Sequence, residues 1–407
     1  KELKEIFGIM IKITNKNNCC GCGACLNVCP KQCISYKEDE EGFLYPTVNA
    51  NDCIDCNLCN KVCPYNSETI PRKPIDIYAA KNKDEQIRLN SSSGGFFSAL
   101  AEYVINQRGI VFGAQFDEKW NVIHSYTDNK KGISLYRGSK YAQSNTLHTY
   151  QEAKSFLEKN ILVLYTGTPC QILGLKKFLR KDYSNLITVD FVCHGVPSPK
   201  IWQLYIKNLS LDAPINYISF RDKQKGWRNY TLYIQTRFSN LKFNTNENQS
   251  PYMKGFLNEL YLRPSCHNCI AKNFSSNSDL TIADYWWIQN IKPEFDDDKG
   301  VSLVYVNTTK GNHILTELNI DKFETNSEKD ISSAYLYQGA VTQSAIPNPH
   351  RKQFFSLVTS ANMNHLILDF TKPSLPQRIK LLGKRILRKS RFLNSLYKNH
   401  IKPNIRK

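Results

Sequence analysis

The 407-residue sequence has no apolar run approaching the roughly 18–20 residues of a membrane-spanning helix, so none is expected. No secretory leader is expected from the N-terminal stretch either, because Ile6–Ile13 is short and broken by Gly8 and Lys12. Acidic residues are scarce, 36 against 54 Lys and Arg, for a net charge of +18. From Thr371 to Lys407 they are missing altogether, while twelve bases stand there. That tail holds two-thirds of the excess charge and leaves the body only mildly basic, which argues against a nucleic-acid-binding protein. The 41% hydrophobic and 12% aromatic content excludes a disordered chain. No internal repeat is visible beyond one pair of cysteine runs. The length leaves room for two or three domains.

Those runs are Cys19-x-x-Cys22-x-x-Cys25-x-x-x-Cys29-Pro30 and Cys53-x-x-Cys56-x-x-Cys59-x-x-x-Cys63-Pro64. A loop with a thiolate every third residue wraps three corners of an iron–sulfur cube. The fourth thiolate, on a turn that proline ends, points toward the other cube, as in two-cluster ferredoxins. The spacing therefore assigns Cys19, Cys22, Cys25 and Cys63 to one 4Fe–4S cluster and Cys53, Cys56, Cys59 and Cys29 to a second. Zinc knuckles would show paired CxxC units instead. Cys20 and Cys33 fall outside the register and read as packing thiols. Cluster ligation needs a reducing compartment, so a cytoplasmic protein is expected.

Around the runs, residues 14–66 form a diferredoxin-like module with short strands at Ile34–Tyr36 and Phe43–Pro46. Ser67–Pro74 is a linker. A larger unit starts at Ile75. Ile77–Ala80 reads as a strand, and Ser92-Ser93-Gly94-Gly95 feeds a helix over Phe96–Gln107, where free N–H groups and the helix dipole suit an anion. Gly109–Phe116 and Val122–Tyr126 read as a strand pair. Ile161–Tyr165 and Leu186–Val192 read as buried parallel strands. Each has a cysteine just beyond it, Cys170 and Cys193, where α/β sheets keep their sites. Phe220–Lys223 reads as a charged loop, Tyr230–Arg237, Asp279–Ala283 and Val301–Val306 as strands, and Tyr252–Leu260 as a helix. The two remaining cysteines are the CxxC pair Cys266 and Cys269. Converged, these four thiols would suit a third cluster or a tetrahedral zinc, or else remain unligated core residues.

The motifs SSSGG, RGSKYAQS, GTPCQI, CHGVPSP, the late CxxC and SDLTIADYW, in that order, resemble the coenzyme F420 hydrogenase/dehydrogenase beta-subunit family. The likeness runs from about residue 14 to about 310 and includes the variant with an N-terminal diferredoxin domain. It implies an α+β protein: the ferredoxin domain at 14–66, then a mixed α/β flavin-binding domain at 75–340, in parts of about 75–155 and 156–340. It also implies FAD contacts at Ser92, Ser93, Gly94, Gly95, Ser139, Lys140, Tyr141, Gln143, Ser144, Thr168 and Asp284. Members without the ferredoxin module carry a cluster in this domain, which favours a third cluster at Cys170, Cys193, Cys266 and Cys269. His194, beside Cys193, is a candidate proton donor.

The expected protein is thus an iron–sulfur flavoprotein oxidoreductase. It would take electrons from ferredoxin or another low-potential donor and pass them through the clusters and FAD to an organic substrate. An electron-transfer subunit and an F420H2-oxidising dehydrogenase are the rival readings. Apolar residues recur at helical spacing among the tail's bases, so 371–407 reads as a basic amphipathic helix from Pro376 to Lys398. Such a helix suits the inner face of an anionic membrane and lipid-linked sugar substrates, the latter fitting homologues encoded among exopolysaccharide genes.

Overall fold

The computed structural model describes residues 10–209, 211–244, 250–324, 334–335 and 338–372. Its first unit is small. The helix Ala24–Val28 leads to an antiparallel hairpin of β1 (Ile34–Glu38) and β2 (Leu44–Val48), followed by the helix Leu58–Lys61. The two cysteine runs repeat one backbone pattern: Gly21 and Gly23 in the first, Asp55 and Asn57 in the second, all have positive φ, at 67°, 85°, 56° and 58°. Asp and Asn tolerate that left-handed region better than most residues. The first run needs glycine for a further reason, because the second unit presses on it. A Cβ on Gly23 would lie 2.4 Å from Thr146 Oγ1, and one on Gly21 would lie 2.9 Å from both the Arg263 guanidinium and the Gln143 amide.

Residues 67–75 carry no helix or strand. The second unit is built on an eight-stranded mixed sheet. Its strands are β3 (Asp76–Asn82), β4 (Ile110–Phe116), β5 (Val122–Thr127), β6 (Val163–Thr166), β7 (Leu186–Phe191), β11 (Leu280–Asp284), β12 (Ser302–Val306) and β13 (Ile320–Glu324). They lie in the order β13-β3-β12-β11-β7-β6-β4-β5. The central four, β11, β7, β6 and β4, run parallel, and the flanking pairs are antiparallel. Successive side chains of a strand face opposite ways, so a strand covered on both faces is apolar throughout. In β6, Leu164 packs under the helix Phe96–Asn106. Val163 and Tyr165 meet the helices Thr149–Glu158 and Pro169–Leu179 on the other face. That second face also receives Cys20, Cys22 and Val62, so the ferredoxin unit shares its core.

The β7-to-β11 connection carries a separate antiparallel sheet of β8 (Ile215–Asp222), β9 (Thr231–Thr236) and β10 (Asn240–Asn244). It packs with the helices Pro199–Lys207, Pro251–Leu257 and Met363–Phe370 around Trp202, Phe220, Tyr252 and Tyr261. One expectation changes here. Phe220, Arg221 and Asp222 end a strand rather than forming a charged loop, because the Arg221 charge is neutralised and buried by a distant carboxylate. Beyond Val306, where the sequence told little, come the helix Thr309–Glu317, β13 and the helices Arg351–Leu357 and Met363–Phe370. The architecture is otherwise the α+β arrangement expected. The tail helix from Pro376 to Lys398 and most of the polar loop at 244–249 lie outside the described residues. No helix among the described residues is long and apolar enough to cross a membrane.

Candidate electron-transfer site

Cys19, Cys22 and Cys25 line one cavity together with Cys63, and Cys53, Cys56 and Cys59 line another together with Cys29. Each run therefore sends its fourth cysteine to the other's cavity. The first quartet is the inner one: Cys22 and Cys25 are buried, whereas Cys56 of the second is exposed. The helix Pro169–Leu179 presses on the inner quartet so closely that a Cβ on Gly174 would lie 2.8 Å from Cys22 Sγ. The two extra thiols are not remote from these cavities. Cys20 lines the inner cavity and packs in one apolar cluster with Cys170. Cys33 Sγ stands 3.4 Å from Cys29 Sγ in the outer cavity.

The third quartet comes from three places. Thr168 caps the helix Pro169–Leu179 through a capping box with Gln171, and Pro169 at its first position suits the start. That fixes Cys170 in the first turn. Cys193 follows the adjacent parallel strand β7, and Cys266 and Cys269 sit on and just after the turn Pro264–Asn268. All four line one cavity with His194 and Lys272. Val196 N donates to Cys266 Sγ at 3.4 Å, and Thr168 Oγ1 lies 3.2 Å from Cys170 Sγ. Burial pushes the Cys266 thiol up to about 12 and raises Cys193 and Cys269 as well, with neighbouring thiols adding to it. Thiols so placed keep their protons at neutral pH unless a bound cation replaces them. His194 Nε2 lies 3.1 Å from Glu259 Oε1, and the ring meets Phe256 edge-on.

The residues expected to touch a flavin divide into two groups. Ser92 and Ser139 come together: Ser92 Oγ accepts from Ser139 N at 2.6 Å and from its hydroxyl at 2.9 Å. Lys223 Nζ pins the loop by donating to the carbonyls of Ser93, Arg88 and Lys299 at 2.8, 2.6 and 2.6 Å. Ser93 Oγ donates to Val301 O, Gly94 N donates to Ser302 Oγ, and Gly95 in the left-handed region begins the helix Phe96–Asn106. Lys140 Nζ donates to the carbonyls of Arg137 and Gly138, and burial lowers its amine to about 7. Tyr141 Oη accepts from Arg221 Nη1 at 3.2 Å, and the same nitrogen donates to Asp284 Oδ2 at 2.9 Å. Arg221 is flanked by the rings of Tyr230 at 3.9 Å and Trp286 at 5.3 Å. Its Nε and Nη2 are buried with no hydrogen-bond partner among the described residues.

Gln143, Ser144 and Thr168 make their side-chain hydrogen bonds on the cysteine side. Gln143 Nε2 donates to Cys20 O at 3.0 Å, and its Oε1 accepts from Arg263 Nη1 at 2.9 Å. Ser144 Oγ accepts from Gln171 Nε2, whose Oε1 accepts from Thr168 N. The sequence reading gave no role to Arg221, Lys223 or Arg263. The one available signal was Arg263 standing immediately before Pro264-Ser265-Cys266.

Comparison with known proteins accords with this geometry. Residues 77–150 match the coenzyme F420 hydrogenase/dehydrogenase beta subunit N-terminal family, and residues 161–330 match its C-terminal counterpart. Residues 18–67 match a 4Fe–4S dicluster domain. No curated protein matches the chain. Among solved structures, it is similar to a chain of the F420-reducing NiFe hydrogenase complex from Methanosarcina barkeri, at 17% identity and a TM-score of 0.45, over 74% of this chain and 92% of that one. The chain therefore belongs to the coenzyme F420 hydrogenase/dehydrogenase beta-subunit family, an oxidoreductase family, and carries a 4Fe–4S dicluster domain at its N-terminal side.

Proposed function

We propose that this protein is an iron–sulfur flavoprotein reductase, taking electrons from a ferredoxin-type donor and delivering them to an organic substrate. The observation that carries the reading is the gathering of Cys170, Cys193, Cys266 and Cys269 around one cavity, against the same helix that covers the inner ferredoxin quartet. On this reading the three quartets hold three 4Fe–4S clusters. The alternative for the third quartet is a structural zinc. Clusters supply a one-electron relay, and FAD supplies the coupling of single electrons to two-electron hydride chemistry.

The polar groups near Ser92 fit a flavin nucleotide. The Nε and Nη2 edge of Arg221 is a planar pair of donors left without acceptors among the described residues, which suits a phosphate or the dione edge of a flavin ring. Ser92–Gly95 stands at the head of an eleven-residue helix, whose first N–H groups favour a pyrophosphate. Tyr141, held by Arg221, and Asp284, held by Arg221 and Trp227, would line the same site. His194, whose Nε2 lies 3.1 Å from Glu259 Oε1, would protonate the reduced substrate. The basic tail supports a lipid-linked or otherwise membrane-proximal substrate, as in polysaccharide assembly. The matched families describe a beta subunit, which favours a second reading: an electron-transfer subunit docking on a partner reductase or oxidising F420H2.

Protein purified without oxygen tests this. The expected content is roughly twelve iron atoms per chain for three cubes, with one FAD released on denaturation and identified against FMN. Cys266→Ser should remove roughly four of those iron atoms while leaving both ferredoxin signals. Zinc in the third site would refute the third cluster. Absence of flavin would favour the electron-transfer subunit.

A further inference from the structure

Arg263 is fully buried, at 0% exposure, and lies between the inner ferredoxin quartet and the third quartet. Its Nε donates to Cys19 O at 2.7 Å, and its Nη2 points at Cys19 Sγ from 3.6 Å and donates to Leu44 O at 2.9 Å. Its Nη1 donates to Gln143 Oε1 at 2.9 Å. The rings of Tyr45 and Phe43 cover it at 4.3 and 5.4 Å. None of these partners is a carboxylate. A buried cation without a counter-charge is costly, and among these partners the group that becomes negative on binding a cluster is the Cys19 sulfur. At the outer quartet it is a carboxylate that stands at a ligand sulfur, Asp55 Oδ1 lying 3.7 Å from Cys53 Sγ, while Lys31 lines the same cavity and Cys56 is exposed.

We infer that Arg263 holds the inner ferredoxin cluster at a higher reduction potential than the outer one, so that an electron arriving at the surface settles beside the second unit. This rests on the reading that both quartets hold 4Fe–4S clusters. Adding an electron makes a cluster more negative, so a guanidinium at a ligand sulfur favours the reduced state and a carboxylate at a ligand sulfur disfavours it. The transfer balances simply. One electron leaves the outer cluster and oxidises it, the inner cluster is reduced by one electron, no bond or proton moves, and the ferredoxin-type donor restores the outer cluster. From there the path inward is short. Arg263 O accepts from Cys266 N of the third quartet at 2.9 Å, and Cys20 packs against Cys170. Arg263 acts through Cys19 and is a positioning residue.

The test is an EPR-monitored redox titration of the full chain, with the outer cluster assigned as the signal lost in Cys56→Ser. The wild type should reduce the inner cluster first. Arg263→Gln should cost the inner cluster at least a tenfold share of electron occupancy relative to the outer, ~59 mV for a one-electron couple, while the outer potential stays put. Arg263→Lys should fall between, keeping the charge but losing the hydrogen-bond fork. Asp55→Asn, at the surface, should raise the outer potential and narrow the gap, and it serves even if Arg263 variants fail to fold. An inner cluster unmoved in folded Arg263→Gln, both clusters moving together, or an outer potential unmoved in Asp55→Asn would each overturn the inference. Absence of the two ferredoxin signals from the wild type would overturn the cluster reading itself, and the inference with it.

Discussion

Replacing Glu41 with Ala should loosen the ferredoxin hairpin from the second unit without unfolding either. Glu41 lies in the turn between β1 and β2, and its carboxylate meets Arg351 two-on-two: Oε1 accepts from Nη1 at 2.7 Å and Oε2 accepts from Nη2. The two side chains are only 13% and 15% exposed. Removing one partner of a buried pair costs about 3–5 kcal/mol, because it strands the other charge. Here Arg351 keeps the Leu262 carbonyl, which accepts from Nε at 3.2 Å and Nη2 at 2.9 Å. Some solvent also reaches the pair, so a loss of about 2–3 kcal/mol is expected. Ser198 and Lys200 still hold the carbonyls of Glu41 and Glu40, at 2.5 and 2.7 Å, which keeps the effect local. Hydrogen exchange at the Gly42 and Phe43 amides, both bonded to Asp39, should then speed about 30–150-fold, at 1.4 kcal/mol per factor of ten. Adding Arg351→Met removes the stranded charge and should recover most of the protection. A change under about threefold in the single variant, or a double variant as exposed as the single, would refute the reasoning.

Arg221→Gln should weaken FAD retention by about 10–100-fold, as expected for a lost charged pair of donors, measured as flavin remaining after dialysis. Unchanged retention would remove Arg221 from the flavin site. Burial lowers the His124 imidazole to about 4, with Nε2 3.0 Å from Thr166 O. The unfolded chain takes that proton near 6.5, so this stability is complete above 6.5 and declines as pH falls toward 4. Urea midpoints should show about 2 kcal/mol lost between pH 7.5 and 5.0, a slope that His124→Gln should flatten. Deleting residues 371–407 should abolish sedimentation with anionic liposomes while leaving iron content intact. Persistent sedimentation would place the membrane contact elsewhere.

Local chemistry was written in the sequence. Three ligands of each ferredoxin cavity fall within seven residues, so spacing alone fixes the loop, and the proline after the fourth cysteine turns it toward the other cavity. The apolar runs at Val163–Thr166 and Leu186–Phe191 likewise declare strands covered on both faces, and with them the positions of Cys170 and Cys193. Burial of a charge is different, because it depends on what a distant segment brings over it. Arg221 looked like loop charge until Asp284, 63 residues on, neutralised it. The Gln143 amide spans from Cys20 to Arg263, separations of 123 and 120 residues that no local motif could announce. Nothing in the two cysteine runs told inner from outer. Only packing against the helix Pro169–Leu179 made one quartet buried and left Cys56 of the other in solvent, and only the fold set Arg263 beside the first, whereas Asp55 stands within the second run itself. Ligand spacing is a property of a few consecutive residues, whereas the electric field around the ligands is a property of the whole folded chain.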